Sequence, residues 1–272
     1  MVDSFGRRIT YLRVSVTDRC NLRCCYCAPG RPACRPAPAY PIRQSDLLSF
    51  TEICDVVRAA AELGINKVRI TGGEPLVRDG VERLVEMIAA IEGIEDLSMT
   101  TNGTLLAGRA RALASAGLQR VNVSLDAIDP ALYRRITGGG DVSRVLAGID
   151  SAKEAGLQPI KLNCVVRQSS REAGARQVAQ FARSCGLQVR FIKQMDLAAG
   201  TFAKVENGTG GDCSNCNRLR LSSDGLVRPC LFSDIAFDVG RLGVRSALEQ
   251  AIAAKPEAGT FCSHGWIGAI GG

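Results

Sequence analysis

Twelve cysteines are the residues of this 272-residue sequence whose types and spacing could do chemistry, and seven of them fall into two short groups. Cys20, Cys24, Cys25 and Cys27 lie near the start; Cys213, Cys216 and Cys230 lie near the end; Cys34, Cys54, Cys164, Cys185 and Cys262 are scattered. Clustered thiols in a reducing compartment point to metal or catalysis rather than to a disulfide framework. Cys20, Cys24 and Cys27 form CxxxCxxC, and three thiolates on one loop can hold three irons of a 4Fe–4S cluster while the fourth iron stays open for a small-molecule ligand. Cys25 lies between ligands and reads as packing. Cys213, Cys216 and Cys230 repeat the three-thiol arithmetic; a zinc ribbon completed by Cys262 or His264 is the alternative, as a zinc knuckle is for the first group. Cys54, Cys164 and Cys185 read as small core residues. His264 is the one histidine in the sequence, so no histidine-based acid–base mechanism is on offer.

Six β-branched runs must position these groups: Tyr11 to Thr17, Lys67 to Thr71, Leu97 to Thr101, Arg120 to Asp126, Ile160 to Val166 and Val189 to Met195. Helix-period segments separate them, most closing on a glycine (Gly64, Gly93, Gly117, Gly156, Gly186) as helix C-termini do. Repeated β-α units imply parallel strands with right-handed crossovers. The expected fold is α/β, an incomplete (β/α)6 barrel of the TIM type with a C-terminal iron–sulfur extension; an open doubly wound sheet is the competitor. The expected units are residues 1–196 and 197–272, because after Met195 the pattern dissolves into the small, glycine-rich AAGTFAKVENGTGGD.

The strands alternate where buried parallel strands usually do not. Arg13, Ser15 and Thr17 oppose Leu12, Val14 and Val16; Lys67, Arg69 and Thr71 oppose Val68 and Ile70; Asn122, Ser124 and Asp126 oppose Val121, Val123 and Leu125; Lys161 and Asn163 oppose Ile160 and Leu162. An antiparallel sheet with one wet face would show the same alternation, but helical connections separate the strands, so a polar lumen is the preferred reading, and Arg13, Lys67, Arg69, Lys161 and Arg190 suit an anion such as a nucleotide polyphosphate. The turn Gly72-Gly73-Glu74-Pro75 ends the second strand, where Glu74 and nearby carbonyls could grip a cofactor amino group. The net charge of +7 comes without a basic run or aromatic platform, so an acidic small molecule fits it better than nucleic acid. No run approaches the length of a membrane span and no secretory segment opens the sequence, so a soluble, cytoplasmic protein is expected.

CxxxCxxC with Tyr26 before its last cysteine, followed by GGEP, resembles the radical S-adenosylmethionine superfamily. Within it, SVTDRCNLRCCYC, RITGGEPLVR, TTNG, NVSLDAI, RFIKQMD, CSNCNRLRLSSDGLVRPCLF and the terminal IGG resemble the GTP 3′,8-cyclase family of molybdenum-cofactor biosynthesis. The resemblance implies two 4Fe–4S clusters, on Cys20, Cys24 and Cys27 and on Cys213, Cys216 and Cys230, with S-adenosylmethionine on the first. It places Gly73, Glu74, Thr100, Ser124 and Met195 around that cofactor. Arg13, Lys67, Arg69, Lys161, Arg190, Arg218 and Arg220 would line the GTP site, with Arg13, Lys161 and the tail residues Gly271 and Gly272 in the catalytic machinery. The implied reaction turns GTP into (8S)-3′,8-cyclo-7,8-dihydroguanosine 5′-triphosphate, with an electron donor of flavodoxin or ferredoxin type, and a homodimer as one assembly it allows. The stretch between Met195 and Cys213 is shorter than the family's, which leaves a radical enzyme acting on a peptide or another nucleotide, or an inactive metal-binding relative, as the alternatives.

Overall fold

The computed structural model of the protein describes residues 1–27 and 47–263; Cys34, His264, Gly271 and Gly272 lie outside the described residues. Strands β1 (Tyr11–Ser15), β2 (Lys67–Thr71), β3 (Asp96–Thr101), β4 (Arg120–Ser124), β5 (Lys161–Val166) and β6 (Gln188–Lys193) fall within two residues of the alternating runs. Between them lie α1 (Phe50–Glu62), α2 (Val81–Ala89), α3 (Ala110–Ser115), α4 (Pro130–Thr137), α5 (Val142–Glu154) and α6 (Ala173–Ser184). Helix α1 starts where Ser49 and Glu52 form a reciprocal capping box and turns Ile53, Cys54, Val56, Val57 and Ala60 inward. The β4–β5 crossover carries two helices, and α4 is the one that periodicity did not single out; Asp129 caps it and Pro130 opens it.

Six strands stand in sequence order, β6-β5-β4-β3-β2-β1, all parallel. A doubly wound sheet would reverse that order at a switch point, so the competing architecture is out. Right-handed crossovers that always step the same way put every helix on one face. That face holds Leu12, Val14, Val68, Ile70, Val121, Val123 and Leu162, all fully buried in the main core. The other face becomes the wall of a partial barrel.

The C-terminal region joins this sheet. Strand β7 (Arg218–Leu221) pairs parallel with the free side of β1, making a seventh parallel strand; β8 (Leu226–Arg228) and β9 (Phe237–Asp238) continue it antiparallel. Helices α7 (Val239–Leu242) and α8 (Val244–Ala253) follow, and α8 adds Ala247, Leu248, Ala251 and Ile252 to the main core. The barrel stays open between β6 and β9. The short segment after β6 turns back on that edge strand: Phe191 and Glu206 exchange backbone hydrogen bonds of 3.2 and 3.0 Å. A small second apolar cluster gathers Leu197, Leu231, Phe232 and Cys262, with Met195, Phe202 and Cys230 against it.

Candidate active site

The first cysteine triad occupies the loop that leaves the C-terminal end of β1. Backbone bonds from Arg23 N to Thr137 O and from Cys25 N to Ile136 O, both 2.9 Å, pin this loop to the end of α4. Cys27 N bonds Cys24 O at 3.1 Å, which turns the two cysteines toward each other. The Cys20 sulfur accepts from Leu22 N at 3.4 Å and from Asn102 Nδ2 at 3.8 Å. Although Cys20 is exposed, desolvation within the loop raises its thiol above the usual range, and the hydrogen bond with Cys27 followed by desolvation raises Cys24 far above it. Crowded neutral thiols are what a thiolate site looks like to its own protons; a polycation among them reverses the balance.

The Gly72-Gly73 turn is fixed by its own backbone contacts. Gly73 N bonds Thr17 O and Glu74 N bonds Arg19 O, both at 2.8 Å, so the turn is zipped to the backbone leading into the cysteine loop. A Cβ on Gly72 would stand 2.6 Å from Thr17 O, and one on Gly73 would collide with Arg19 O. The close approach that needs glycine is backbone to backbone. Glu74 is fully buried, accepting from Leu76 N at 3.0 Å, Thr101 Oγ1 at 2.7 Å and Asn102 N at 2.6 Å. Its carboxylate therefore ties the ends of β2 and β3 together beside Cys20. On the next strand end, Asp126 accepts from Tyr26 Oη and from Val165 N, both at 2.7 Å, and so fixes the aromatic ring that precedes Cys27.

Below this rim the wall of the barrel is basic. Arg69 donates from Nε to Ser98 at 3.1 Å, and Asn122, its amide oxygen turned inward, accepts from Arg69 Nη1 at 2.8 Å. The Arg69 and Arg218 guanidinium carbons lie 5.3 and 5.7 Å from the centroid of the Tyr11 ring, whose hydroxyl takes a 3.5 Å contact from Arg13. Burial alone would raise the Tyr11 phenol, yet Arg13, Arg69 and Arg218 bring it below its ordinary value. Burial also lowers Arg69, to about 10, with Arg13, Arg120 and Arg190 adding to the effect. Burial likewise lowers Lys161 and Arg190, both also pressed by neighbouring cations. This wall concentrates positive charge with too little counter-charge of its own.

The second triad sits at the opposite end of the strands. Tyr11 pairs with Arg218 and Arg13 with Arg220, so Cys216 lies beside the start of β1 while the first triad follows its end, about 13 Å of strand away. Cys216 N bonds Cys213 O at 3.2 Å. Two buried cations that sequence reading missed hold the segments together. Lys255, 3% exposed, donates to Arg218 O at 2.8 Å and Pro229 O at 2.7 Å; Arg7, paired with Asp3 at 2.6 Å, donates to Cys213 O at 2.8 Å. Burial would raise the Cys216 thiol, but Lys255 and Arg218 leave it below the usual value. Among the described residues no three Cys, His, Asp or Glu side chains converge on a point that one metal ion could fill. A polynuclear cluster needs no such point, since each thiolate meets a different iron.

Residues 14–170 match the family described as the Radical SAM superfamily. The chain belongs to the radical S-adenosylmethionine superfamily. A GTP 3′,8-cyclase of Thermodesulfovibrio yellowstonii is 37% identical over 310 aligned positions, covering 94% of this chain and 95% of the relative; one of Petrotoga mobilis is 38% identical over 313 positions, covering 96% and 95%. Within the superfamily the chain therefore sits in the GTP 3′,8-cyclase family. Both alignments are longer than the chain itself, so the relatives carry residues without a counterpart here. The solved structure of native anSMEcpe with bound AdoMet superposes with a TM-score of 0.64 at 16% identity, covering 91% of this chain and 81% of that one, a likeness of fold.

A radical S-adenosylmethionine enzyme works with an iron–sulfur cluster and S-adenosylmethionine, and the residues present fit both. The first triad offers sulfur donors only, and the buried Thr100 Oγ1 at the end of β3 has no hydrogen-bond partner, which a ligand's polar group would supply. Thr100, Ser124 and Gly73 lie on strand ends around the cysteine loop, whereas Met195 lies beyond β6 against the second apolar cluster. Arg13, Arg69, Lys161, Arg190, Arg218 and Arg220 share the lumen face; Lys67 starts β2 exposed. Cys54 and Cys164 are buried as expected. Cys185 is not a core residue: it caps the end of α6 half-exposed, because the helix stops one residue short of Gly186.

The two buried rim carboxyls make stability pH-dependent in a known direction. Burial pushes Glu74 up to about 7 and Asp126 up to about 6. Each binds its proton more tightly folded than unfolded, so stability falls as pH rises from about 4.5 to 7 and levels off above, by up to about 3 kcal/mol per group. Urea midpoints of the cluster-free protein should drop between pH 5 and 7.5 and flatten in the Glu74→Gln/Asp126→Asn double variant. A midpoint that rises over that interval in the parent protein and stays unchanged in the variant would refute the assignment.

Proposed function

We propose that the chain is a GTP 3′,8-cyclase of molybdenum-cofactor biosynthesis. The observation that carries this reading is the register of β1 against β7: it places Arg13 beside Arg220 and Tyr11 beside Arg218 on the lumen face, between the two cysteine triads. In this reading Cys20, Cys24 and Cys27 hold one 4Fe–4S cluster and Cys213, Cys216 and Cys230 the other. When bound, the first cluster and S-adenosylmethionine would supply one electron and the radical that takes the ribose C3′ hydrogen of GTP into 5′-deoxyadenosine; C3′ would then bond to C8 of guanine, and a further electron from the carrier with one proton would quench the purine radical as the 7,8-dihydro product.

The chain's own residues do the rest. Arg13, Arg69, Lys161, Arg190, Arg218 and Arg220, with Lys67 at the entrance, bind and neutralise the triphosphate, which fixes the ribose relative to the rim. Gly73, Glu74, Thr100 and Ser124 shape the cofactor's seat, and Met195 borders it from the far side of β6. Tyr11 keeps the guanidinium groups apart and aimed. Residues 1–196 then serve cofactor cleavage and 197–272 serve the guanine end, where the segment ending in Gly271 and Gly272 enters the catalytic machinery. The electron comes from a flavodoxin- or ferredoxin-type carrier in the cytoplasm; a homodimer is compatible with this reading. Among the described residues no helix is long and apolar enough to cross a membrane.

Reduced, anaerobically reconstituted protein incubated with GTP and S-adenosylmethionine should release 5′-deoxyadenosine and the cyclised nucleotide in equal amounts. Cofactor cleavage that neither depends on GTP nor yields the cyclised product rejects GTP as the substrate.

A further inference from the structure

One guanidinium of the lumen has been left out of every expectation so far. Arg228 on β8 stands directly across from Arg220 on β7, and Arg220 is in turn opposite Arg13, which is opposite Arg69. Residues directly opposite one another on paired strands project from the same side of the sheet. Val227, Leu219 and Leu221 fill the other side and are fully buried in the main core. One row across β2, β1, β7 and β8 is therefore Arg69, Arg13, Arg220, Arg228, with about 5 Å between neighbouring strands.

The four differ in how they are satisfied. Arg69 donates to Ser98 and Asn122, and Arg13 reaches the Tyr11 hydroxyl. Arg220 is half-buried, with Arg13, Arg218 and the Cys216 and Cys230 thiols near enough to act on its charge. Arg228 is 4% exposed, and neither its Nε nor its Nη1 has a hydrogen-bond partner. A buried cationic group with orphan donors is costly to keep, and one that persists in a site of like charge is matched to an anion that arrives from outside.

We propose that Arg228 is a sixth guanidinium of the polyphosphate site and the fourth in this row, binding a phosphate oxyanion of the substrate at the end of the row nearest Cys230. The inference rests on the polyphosphate reading given above and extends it to a residue on a strand outside the six-stranded barrel. Planar N–H pairs such as Nε and an Nη suit two oxygens of one phosphate, so the contact is directional as well as attractive. Because β8 belongs to the hairpin that ends in Cys230, the same contact would couple the seating of the triphosphate to the position of the second triad.

The test is calorimetric titration of anaerobically reconstituted protein with GTP, inorganic triphosphate and guanosine, in the parent and in Arg228→Met and Arg228→Lys. Arg228→Met should weaken GTP and triphosphate binding by about 10- to 100-fold, leave guanosine binding unchanged, and keep or raise the ligand-free Tm, because it removes two buried donors that have no hydrogen-bond partner. Arg228→Lys should recover part of the triphosphate affinity. A merely structural arginine would lower the ligand-free Tm and leave the ratio of triphosphate to guanosine affinity as it was, which overturns the proposal. Parent protein that binds GTP with Arg228→Met binding it equally well overturns the role of Arg228 alone; parent protein that binds no triphosphate overturns the polyphosphate reading together with it.

Discussion

Cys24→Ala should abolish reductive cleavage of S-adenosylmethionine, a loss of more than about 1,000-fold in 5′-deoxyadenosine release, while iron content falls from about eight to about four per chain. The fall stops at half because the second triad lies at the other end of the strands and is held by β7, β8 and the Lys255 and Arg7 anchors. The fold should survive, since the loop is held by backbone bonds to Thr137 and Ile136 and by the zipped Gly73 turn rather than by its thiols. Electron paramagnetic resonance of the reduced variant would then report one cluster signal instead of two. Retained cofactor cleavage, or loss of all iron, would contradict the assignment of independent triads.

Arg220→Met should lower kcat/KM for GTP by about 100- to 1,000-fold, equivalent to about 3–4 kcal/mol of lost binding in the transition state. Arg220 lies between the two parts of the site: desolvation lowers its ionisation, Arg13 and Arg218 add to that, and the Cys230 and Cys216 thiols oppose the shift. Its removal takes a charge-assisted contact from the triphosphate and a counter-charge from the second triad together. Arg220→Lys should restore a minority of the activity, because a single ammonium cannot reproduce the planar pair of donors. Steady-state kinetics of nucleotide cyclisation, with 5′-deoxyadenosine release followed in parallel, would measure both effects. An Arg220→Met enzyme with parental kcat/KM would remove Arg220 from the substrate site.

The shortened stretch between Met195 and Cys213 leaves both triads and the arginine row in place. Glu206 bridges to Phe191 and Thr209 accepts from Arg218 Nη2 at 2.9 Å, so even the short segment closes over the edge of β6 and meets the lumen's basic wall.

Local spacing made the chemistry legible. CxxxCxxC, CxxC with a later cysteine, and alternation of Arg and Lys with Val and Leu are near-neighbour patterns, and a strand of period two must show its polar residues on one face wherever it ends up. Hence Arg13, Lys67, Arg69, Lys161 and Arg190 are legible from alternation, while Arg218 and Arg220 come from the family resemblance. Arg228 carries the same signal, alternating with Val227 two residues before Cys230, but three residues are too few for periodicity to stand out. Tertiary structure alone decided which strand β7 would join, that Gly73 packs against the cysteine loop's backbone, and that Glu74 accepts from Thr101 and Asn102. It also decided that Lys255 and Arg7 brace the second triad from segments 26 or more residues away. Those outcomes depend on which distant donors and acceptors meet once the sheet is assembled, and hydrogen-bond satisfaction between remote segments leaves no periodic trace in the order of the residues.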